Sequence, residues 1–234
     1  MPTDGRLLPR WARHGIKQLA TLPGLARHSE VLARFHWQAR LAQGNRNYKD
    51  VPVLSSREEL YSYINTVHFQ SGMQAIDFFE FGVYRGASLS AWTFLNRNPA
   101  SRFWGFDSFQ GLPENWHDGK EKGVFGTGGE LPQIEDSRVQ FVAGWFQDTL
   151  PAFLGKYEPR NPLVIHCDCD LYSSTLYCLT VLDRLLAGAI VIFDDFYDSL
   201  HQYRALSDYC SAYRRSYKPI ALTGRMAQAA VEIA

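Results

Sequence analysis

Leu163-Val-Ile-His-Cys-Asp-Cys-Asp-Leu-Tyr-Ser-Ser-Thr175 and Gly188-Ala-Ile-Val-Ile-Phe-Asp-Asp-Phe-Tyr-Asp198, with the segment between them, decide how this chain folds. Two short apolar runs, Leu163 to Ile165 and Ala189 to Phe193, each end in acid: Asp168 and Asp170 after the first, Asp194 and Asp195 after the second. From Ser173 to Ala187, apolar residues at Leu176, Leu179, Val181, Leu182, Leu185 and Leu186 recur at helical spacing, so the unit reads strand, helix, strand. A helical crossover makes its two strands parallel and right-handed, which brings both acidic ends to one edge of the sheet. That carboxyl edge is where α/β proteins bind ligands. Two carboxylates ~4 Å apart repel by ~4 kcal/mol at an effective dielectric of ~20. Gathering several there asks for a cation or for raised pKa values, and a site built from oxygens suits a hard ion such as magnesium.

Working outward, the chain repeats the alternation of strand and helix. Ile76 to Gly82 reads as the first strand, Gly82 to Gly86 as a turn and Ala87 to Asn96 as a helix. Arg102 to Asp107 reads as a second strand, Val139 to Val142 as a third and Phe146 to Leu154 as a helix. Ser199 to Tyr217 predicts a further amphipathic helix, and Pro219 to Leu222 with Gln228 to Ile233 a terminal antiparallel hairpin. The pattern predicts a mostly parallel sheet with helices on both faces, over residues 73–234. Residues 108–137 carry many Gly and Pro and no periodicity; a run of that length inside a compact domain reads as a lid. Residues 1–72 read as a helical cap or arm without a strand signal, in which Ser56-Arg-Glu-Glu59 forms a capping box.

The 234 residues hold 24 Lys plus Arg and 24 Asp plus Glu, so no global field argues for nucleic acid. The balance is uneven. Residues 1–40 hold seven basic residues against Asp4 and Glu30, which fits an exposed basic helix or an arm through which the chain forms a homo-oligomer. No apolar run reaches the length of a membrane span, and no signal-peptide core precedes the domain, so a cytoplasmic protein is expected. Cys167, Cys169, Cys178 and Cys210 form no C-x-x-C pair and read as small core residues in a reduced compartment. A zinc site through His166 and the neighbouring cysteines lacks the spaced knuckles that structural zinc requires.

Around the first turn the sequence reads Glu80-Phe-Gly82-Val-Tyr84-Arg-Gly86-Ala-Ser88, and Asp107 ends the next strand. A glycine turn admits a ligand to the backbone and the following helix N-terminus, while an acid after strand two can accept ribose hydroxyl protons. Val83 and Tyr84 fill the turn where a nicotinamide enzyme keeps room for a pyrophosphate, so the pattern suits S-adenosylmethionine better. A plain tight turn, with Glu80 pairing an arginine, is the bland alternative. A nicotinamide-dependent oxidoreductase of the short-chain kind would need a Tyr-x-x-x-Lys pair, and none of the six lysines has a tyrosine four residues before it. A non-catalytic scaffold that binds S-adenosylmethionine is the other rival, against which the intact acids speak. His117 and His201 stand near the site, and Trp104, Trp116 and Trp145 offer rings for an adenine or an acceptor, although most aromatic residues only pack.

Together, Glu80 to Ser88, Gly105-Phe-Asp-Ser-Phe-Gln-Gly-Leu-Pro113, Gly144-Trp-Phe-Gln-Asp-Thr-Leu-Pro151, His166 to Thr175 and Ala187 to Phe196 resemble the macrocin- and novobiocin-type sugar O-methyltransferases, over roughly residues 56 to 234. The resemblance implies a class I methyltransferase fold, Rossmann-like and seven-stranded with its last strand antiparallel. It implies magnesium-dependent methyl transfer from S-adenosylmethionine to a hydroxyl of a sugar or similar natural product. By position it puts the metal on Asp168, Asp194 and Asp195, and the general base on Asp170, expected on the same strand face as Asp168. The methyl donor falls to Glu80, Gly82, Tyr84, Gly86, Ser88, Asp107, Ser108, Gly144, Trp145 and Asp168. Ala189 stands where the family often has a second glycine, and residues 1–55 match nothing in its pattern.

Overall fold

The computed structural model describes residues 50–117 and 119–234. Its elements run β1 (Val53–Leu54), α1 (Arg57–His68), β2 (Asp77–Phe81), α2 (Ala87–Leu95), β3 (Arg102–Asp107), β4 (Val139–Ala143), α3 (Phe146–Leu154), β5 (Leu163–Cys167), α4 (Tyr172–Val181), β6 (Ile190–Phe193), α5 (Gln202–Tyr213), β7 (Tyr217–Thr223) and β8 (Ala229–Ile233). They form one eight-stranded sheet in the order β1-β7-β8-β6-β5-β2-β3-β4. Every pairing is parallel except those of β8 with β6 and β7. The expected seven strands are present with the last one antiparallel, and β1 adds an eighth at the edge. Nothing in the sequence of the N-terminal part marks β1. It is two residues long, with Val53 exposed, too short for any alternation to show.

Side-chain parity sorts the core onto the two faces of the sheet. Phe79, Phe81, Ile165, Cys167, Val191 and Phe193 face α3, α4 and α5, where they meet Leu150, Leu179, Leu206 and Tyr209. Phe78, Val164, Ile190 and Ile192 face the other way, toward Leu60, Tyr61 and Ile64 of α1 and Leu89 and Trp92 of α2. α1 therefore packs on the sheet itself. Its start is set by Ser56, whose side chain accepts from Glu59 N–H at 3.2 Å, while Glu59 reaches back to the N–H and hydroxyl of Ser55. Leu60 and Ile64 are fully buried, each contributing roughly 2 kcal/mol, so the helix's first turn is held firmly over the sheet edge. The four cysteines form no disulfide and are buried, as core residues should be. The basic stretch 1–40, and with it any oligomer arm, lies outside the described residues.

Two expected elements are shorter than their periodicity suggested. The crossover helix ends at Val181 and continues as a 3₁₀ turn, Asp183–Leu185. α5 starts at Gln202, because Asp198 ties the preceding turn by accepting the N–H of Leu200 at 2.9 Å. Among the described residues of 108–137 there is no helix and no strand beyond a single bridge between His117 and Lys120, yet backbone hydrogen bonds tie much of the stretch together. Leu112 N–H donates to the Val124 carbonyl and Gly123 N–H to the Leu112 carbonyl, while the Phe109 carbonyl accepts from Thr127 and Gly129. Phe109 is buried beneath them, 1% exposed.

Candidate active site

A cavity of about 660 Å³ opens at the carboxyl ends of the parallel strands. Gly82, Tyr84, Ser88, Asp107, Ser108, Trp145, Asp168, Asp170, Asp194 and Asp195 all line it. Three of the expected contact residues do not: Glu80, Gly86 and Gly144 lie behind its wall, and each has a structural task. Gly86 has φ +77° and begins α2 under Pro132 and Ile134. Gly144 has φ +137°, and a Cβ there would meet Thr149 Cγ2 at 2.7 Å. Gly82 has φ +91°, and a Cβ would come within 1.9 Å of the Asp168 carbonyl oxygen. The approach that Gly82 permits is thus that of the chain beyond β5, which seats Asp168 against the turn.

Asp107 closes the same turn from the other side. One carboxylate oxygen accepts the N–H groups of Val83 and Tyr84, both at 2.8 Å, and the other accepts Phe109 N–H at 2.7 Å. Asp107 thus lines the cavity and at the same time fixes the loop around it.

Asp168, Asp194 and Asp195 bring one carboxylate oxygen each to within 4.8 Å of one another. β5 stops at Cys167, so Asp168 sits just past the strand end, its N–H donating to Phe81 carbonyl at 2.8 Å. Asp170 is not on the strand face expected from alternation: it has φ +58°, in a tight turn closed by Leu171 N–H on Cys169 carbonyl. The turn still aims Asp170 into the cavity beside Asp195, with which it shares a hydrogen bond. Gln202, at the start of α5, holds the strand ends together by donating to Cys167 carbonyl at 3.1 Å and accepting Asp195 N–H at 3.0 Å.

Burial and crowding set the charges. Burial first, then Asp195 and Asp168, push Asp170 up to about 10, and burial with Asp194 pushes Asp195 up to about 6. Asp168 is raised well above the usual carboxylate range by burial and Asp194. Burial works against ionised Asp194 as well, but His166 and Arg57 outweigh it and hold it low. The chemistry of this donor set fits a hard divalent cation: oxygens only, converging, with more negative charge than the protein neutralises.

Two groups here were not expected. His166 lies fully buried on β5, its Nδ1 2.9 Å from Glu80 Oε1 on the neighbouring residue of β2 and its Nε2 3.1 Å from the Tyr61 hydroxyl. Glu80 therefore pairs a histidine rather than an arginine, and its Oε2 has no partner. Desolvation disfavours the imidazolium, but Asp194 and Glu80 prevail and raise His166 to about 10. Strand parity places Glu80, His166 and α1 on one face, a signal that was available. Arg57 is the second: its guanidinium stands 3.6 Å from Asp168, 3.5 Å from Asp194 and 3.5 Å from Ser88 Oγ. Nothing near the acids in sequence points to it. Arg204, closer to the acids in sequence, pairs Asp208 within α5.

The loop 108–137 supplies the outer wall through Gly111, Leu112, Pro113, Trp116, His117 and Lys120, and Glu114 accepts a hydrogen bond from Ser173 on α4. Trp116 and Trp145 face the cavity. Trp104 does not; it is core, edge-on to Phe79, Phe153 and Tyr157.

With this geometry in hand, comparison with known proteins is informative. Residues 131–222 match the macrocin-O-methyltransferase (TylF) family. The resemblance drawn from the motifs is borne out. The chain is 34% identical over 157 residues to an 8-demethyl-8-(2,3-dimethoxy-alpha-L-rhamnosyl)-tetracenomycin-C 4′-O-methyltransferase of Streptomyces olivaceus, covering 55% of this chain and 58% of that protein. It is 32% identical over 160 residues to a demethyldecarbamoylnovobiocin O-methyltransferase of Streptomyces niveus, covering 56% and 59%. The match thus spans about three fifths of the length of these relatives. The solved structure of the O-methyltransferase NovP superposes with a TM-score of 0.56 at 24% identity, over 75% of this chain and 78% of that one. The fold is that of the class I methyltransferases, as the strand order requires. Among the described residues no helix is long and apolar enough to cross a membrane.

Proposed function

We propose that this chain is an S-adenosylmethionine-dependent, divalent-metal-dependent O-methyltransferase acting on a hydroxyl of a sugar or another small natural product. The observation that carries the reading is the convergence of four aspartates on a cavity that the glycine turn and Asp107 also line. In it, Asp107 accepts the ribose hydroxyls and Trp145 flanks the adenine, while Tyr84, Ser88 and Ser108 complete the donor's wall. Asp168, Asp194 and Asp195 hold the metal, magnesium or a similar hard cation. When bound, that ion lowers the pKa of an acceptor hydroxyl. Asp170, deprotonated once the charge of its neighbours is balanced, would take the acceptor hydroxyl's proton; bound S-adenosylmethionine would supply the methyl group to that oxygen and leave as S-adenosylhomocysteine. The loop 108–137 closes the site from water. The rhamnosyl acceptor for which the Streptomyces olivaceus relative is named supports a sugar or glycoside acceptor. Residues 53–68 belong to the domain, as an edge strand and a helix on the sheet, and oligomer contacts through the basic stretch 1–40 remain part of the proposal.

A methyl-transfer screen across sugars, glycosides and catechols, with and without chelator, tests the reading. It predicts product from a sugar-type hydroxyl, abolished by chelation and restored by magnesium. Full turnover in excess chelator would remove the metal from the mechanism.

A further inference from the structure

We propose that Arg57 binds the carboxylate on the amino-acid end of the methyl donor. The inference rests on the methyl-donor reading above and adds to it the residue that selects for a complete amino acid. The donor has three arms on its sulfur. With adenosine placed toward Asp107 and Trp145 and the methyl group toward Asp170 and Asp195, the amino-acid arm would be left the part of the cavity where Gly82 meets Asp168 and Arg57 meets Asp168 and Ser88. Its ammonium finds Asp168. Its carboxylate, set among aspartates, needs a cation.

Among the described residues, the cavity offers three permanent or near-permanent cations: Arg57, Arg85 and Lys120. Arg85 lies over the exposed Tyr84 ring, and Lys120 lies over Phe125 in the outer loop. Arg57 alone stands on the required side, 3.5 Å from Ser88 Oγ in the first turn of α2, where the helix also presents unpaired N–H groups to an anion. Its mounting suits the task. It occupies the first residue of α1, beyond the Ser56 cap, and its guanidinium contacts the Tyr61 hydroxyl. Its contacts with Asp168 and Asp194 are no shorter than 3.5 Å, an ion pair without close hydrogen bonds. If those two aspartates serve a divalent cation, the guanidinium loses both partners, and an incoming carboxylate replaces them with planar, two-pronged geometry.

Calorimetric titration of the full chain, with magnesium present, separates this role from others. S-adenosylhomocysteine carries the amino-acid arm; 5′-methylthioadenosine keeps the ribose and adenine but lacks it. Arg57→Met should weaken S-adenosylhomocysteine by roughly 10-fold or more, the scale of a lost charge-assisted hydrogen bond, and leave 5′-methylthioadenosine unchanged. Arg57→Lys should fall between. If the Met variant does not fold by circular dichroism, Arg57→Lys and Ser88→Ala read the same selectivity between the ligands. Equal weakening of both ligands, or unchanged S-adenosylhomocysteine binding, overturns the inference while leaving the methyl-donor reading standing. A wild-type chain that binds neither ligand overturns both.

Discussion

The two ends of the same sheet treat buried acid in opposite ways. At the amino end, Asp77 opens β2 fully buried and fully satisfied. Arg102 grips both its oxygens, Tyr157 donates to it at 2.7 Å, Asn161 at 2.9 Å and Arg160 N–H at 3.3 Å. Burial works against its ionisation, but these donors outweigh it and hold Asp77 below the usual range. At the carboxyl end, Asp168, Asp170, Asp194 and Asp195 crowd one cavity with Arg57 at a distance and His166 beneath. Three of the four are raised. One end is an ion pair that stabilises the fold. The other is a concentration of charge that the fold tolerates and a ligand would relieve.

The contrast predicts that substitutions at the two ends separate stability from activity. The largest effect on turnover belongs to Asp194→Asn, which removes a metal ligand: a loss of roughly 1000-fold or more, given that a metal's charge stabilisation is worth several kcal/mol. The variant should stay folded but melt somewhat lower, because Asn cannot supply the charge that buried His166 and Arg57 pair. Asp170→Asn should cost roughly 100-fold in turnover, the scale of a lost general base, with donor and metal binding retained. A rate within a few-fold of the parent would place the proton elsewhere.

At the other end, Asp77→Ala should cost about 3 kcal/mol in urea unfolding, because it strands Arg102 partly buried, and leave donor binding unchanged. The pH dependence follows in sign. A carboxyl held low in the folded state contributes stability that is present above its unfolded value near ~3.9 and is lost as pH falls through the folded one. Below about pH 4, the parent should therefore lose stability more steeply than Asp77→Asn. Parallel curves for the two would mean that Asp77 is no better paired than the acids opposite.

The smallest effect tests the loop 108–137. Hydrogen exchange around Trp116 to Lys120 should slow when donor and an acceptor analogue are both bound, while the amides near Asp77 stay constant. Equal protection with and without ligands would make this loop a fixed wall.

Much of the site was legible because it sits where short apolar runs end. Leu163 to Ile165 and Ala189 to Phe193 mark their strands by burial alone, so the carboxyl ends and their acids follow from parallel topology. Motif position gave no hint of the histidine beside Glu80, while strand parity put it against His166 on an adjacent strand. Asp170 was placed on a strand that had already ended, and no Gly or Pro announces its left-handed turn. Arg57 could not be read at all. It is brought to the acids only because α1 crosses the sheet edge, and periodicity fixes which face of a helix is buried but not where its first residue lands. The loop 108–137 gave no period, yet Phe109 and the hydrogen bonds around Gly111 and Gly123 fold it; a Cβ on Gly111 would meet the Gly123 carbonyl oxygen at 2.2 Å.

The central claim, that the acids at the carboxyl edge are a cation site and the acid at the amino edge is not, is tested most directly by manganese titration followed by electron paramagnetic resonance. The account predicts one site per chain in the parent, kept in Asp77→Asn and lost in Asp194→Asn. Absence of binding in the folded parent, or binding that survives Asp194→Asn undiminished, would contradict it.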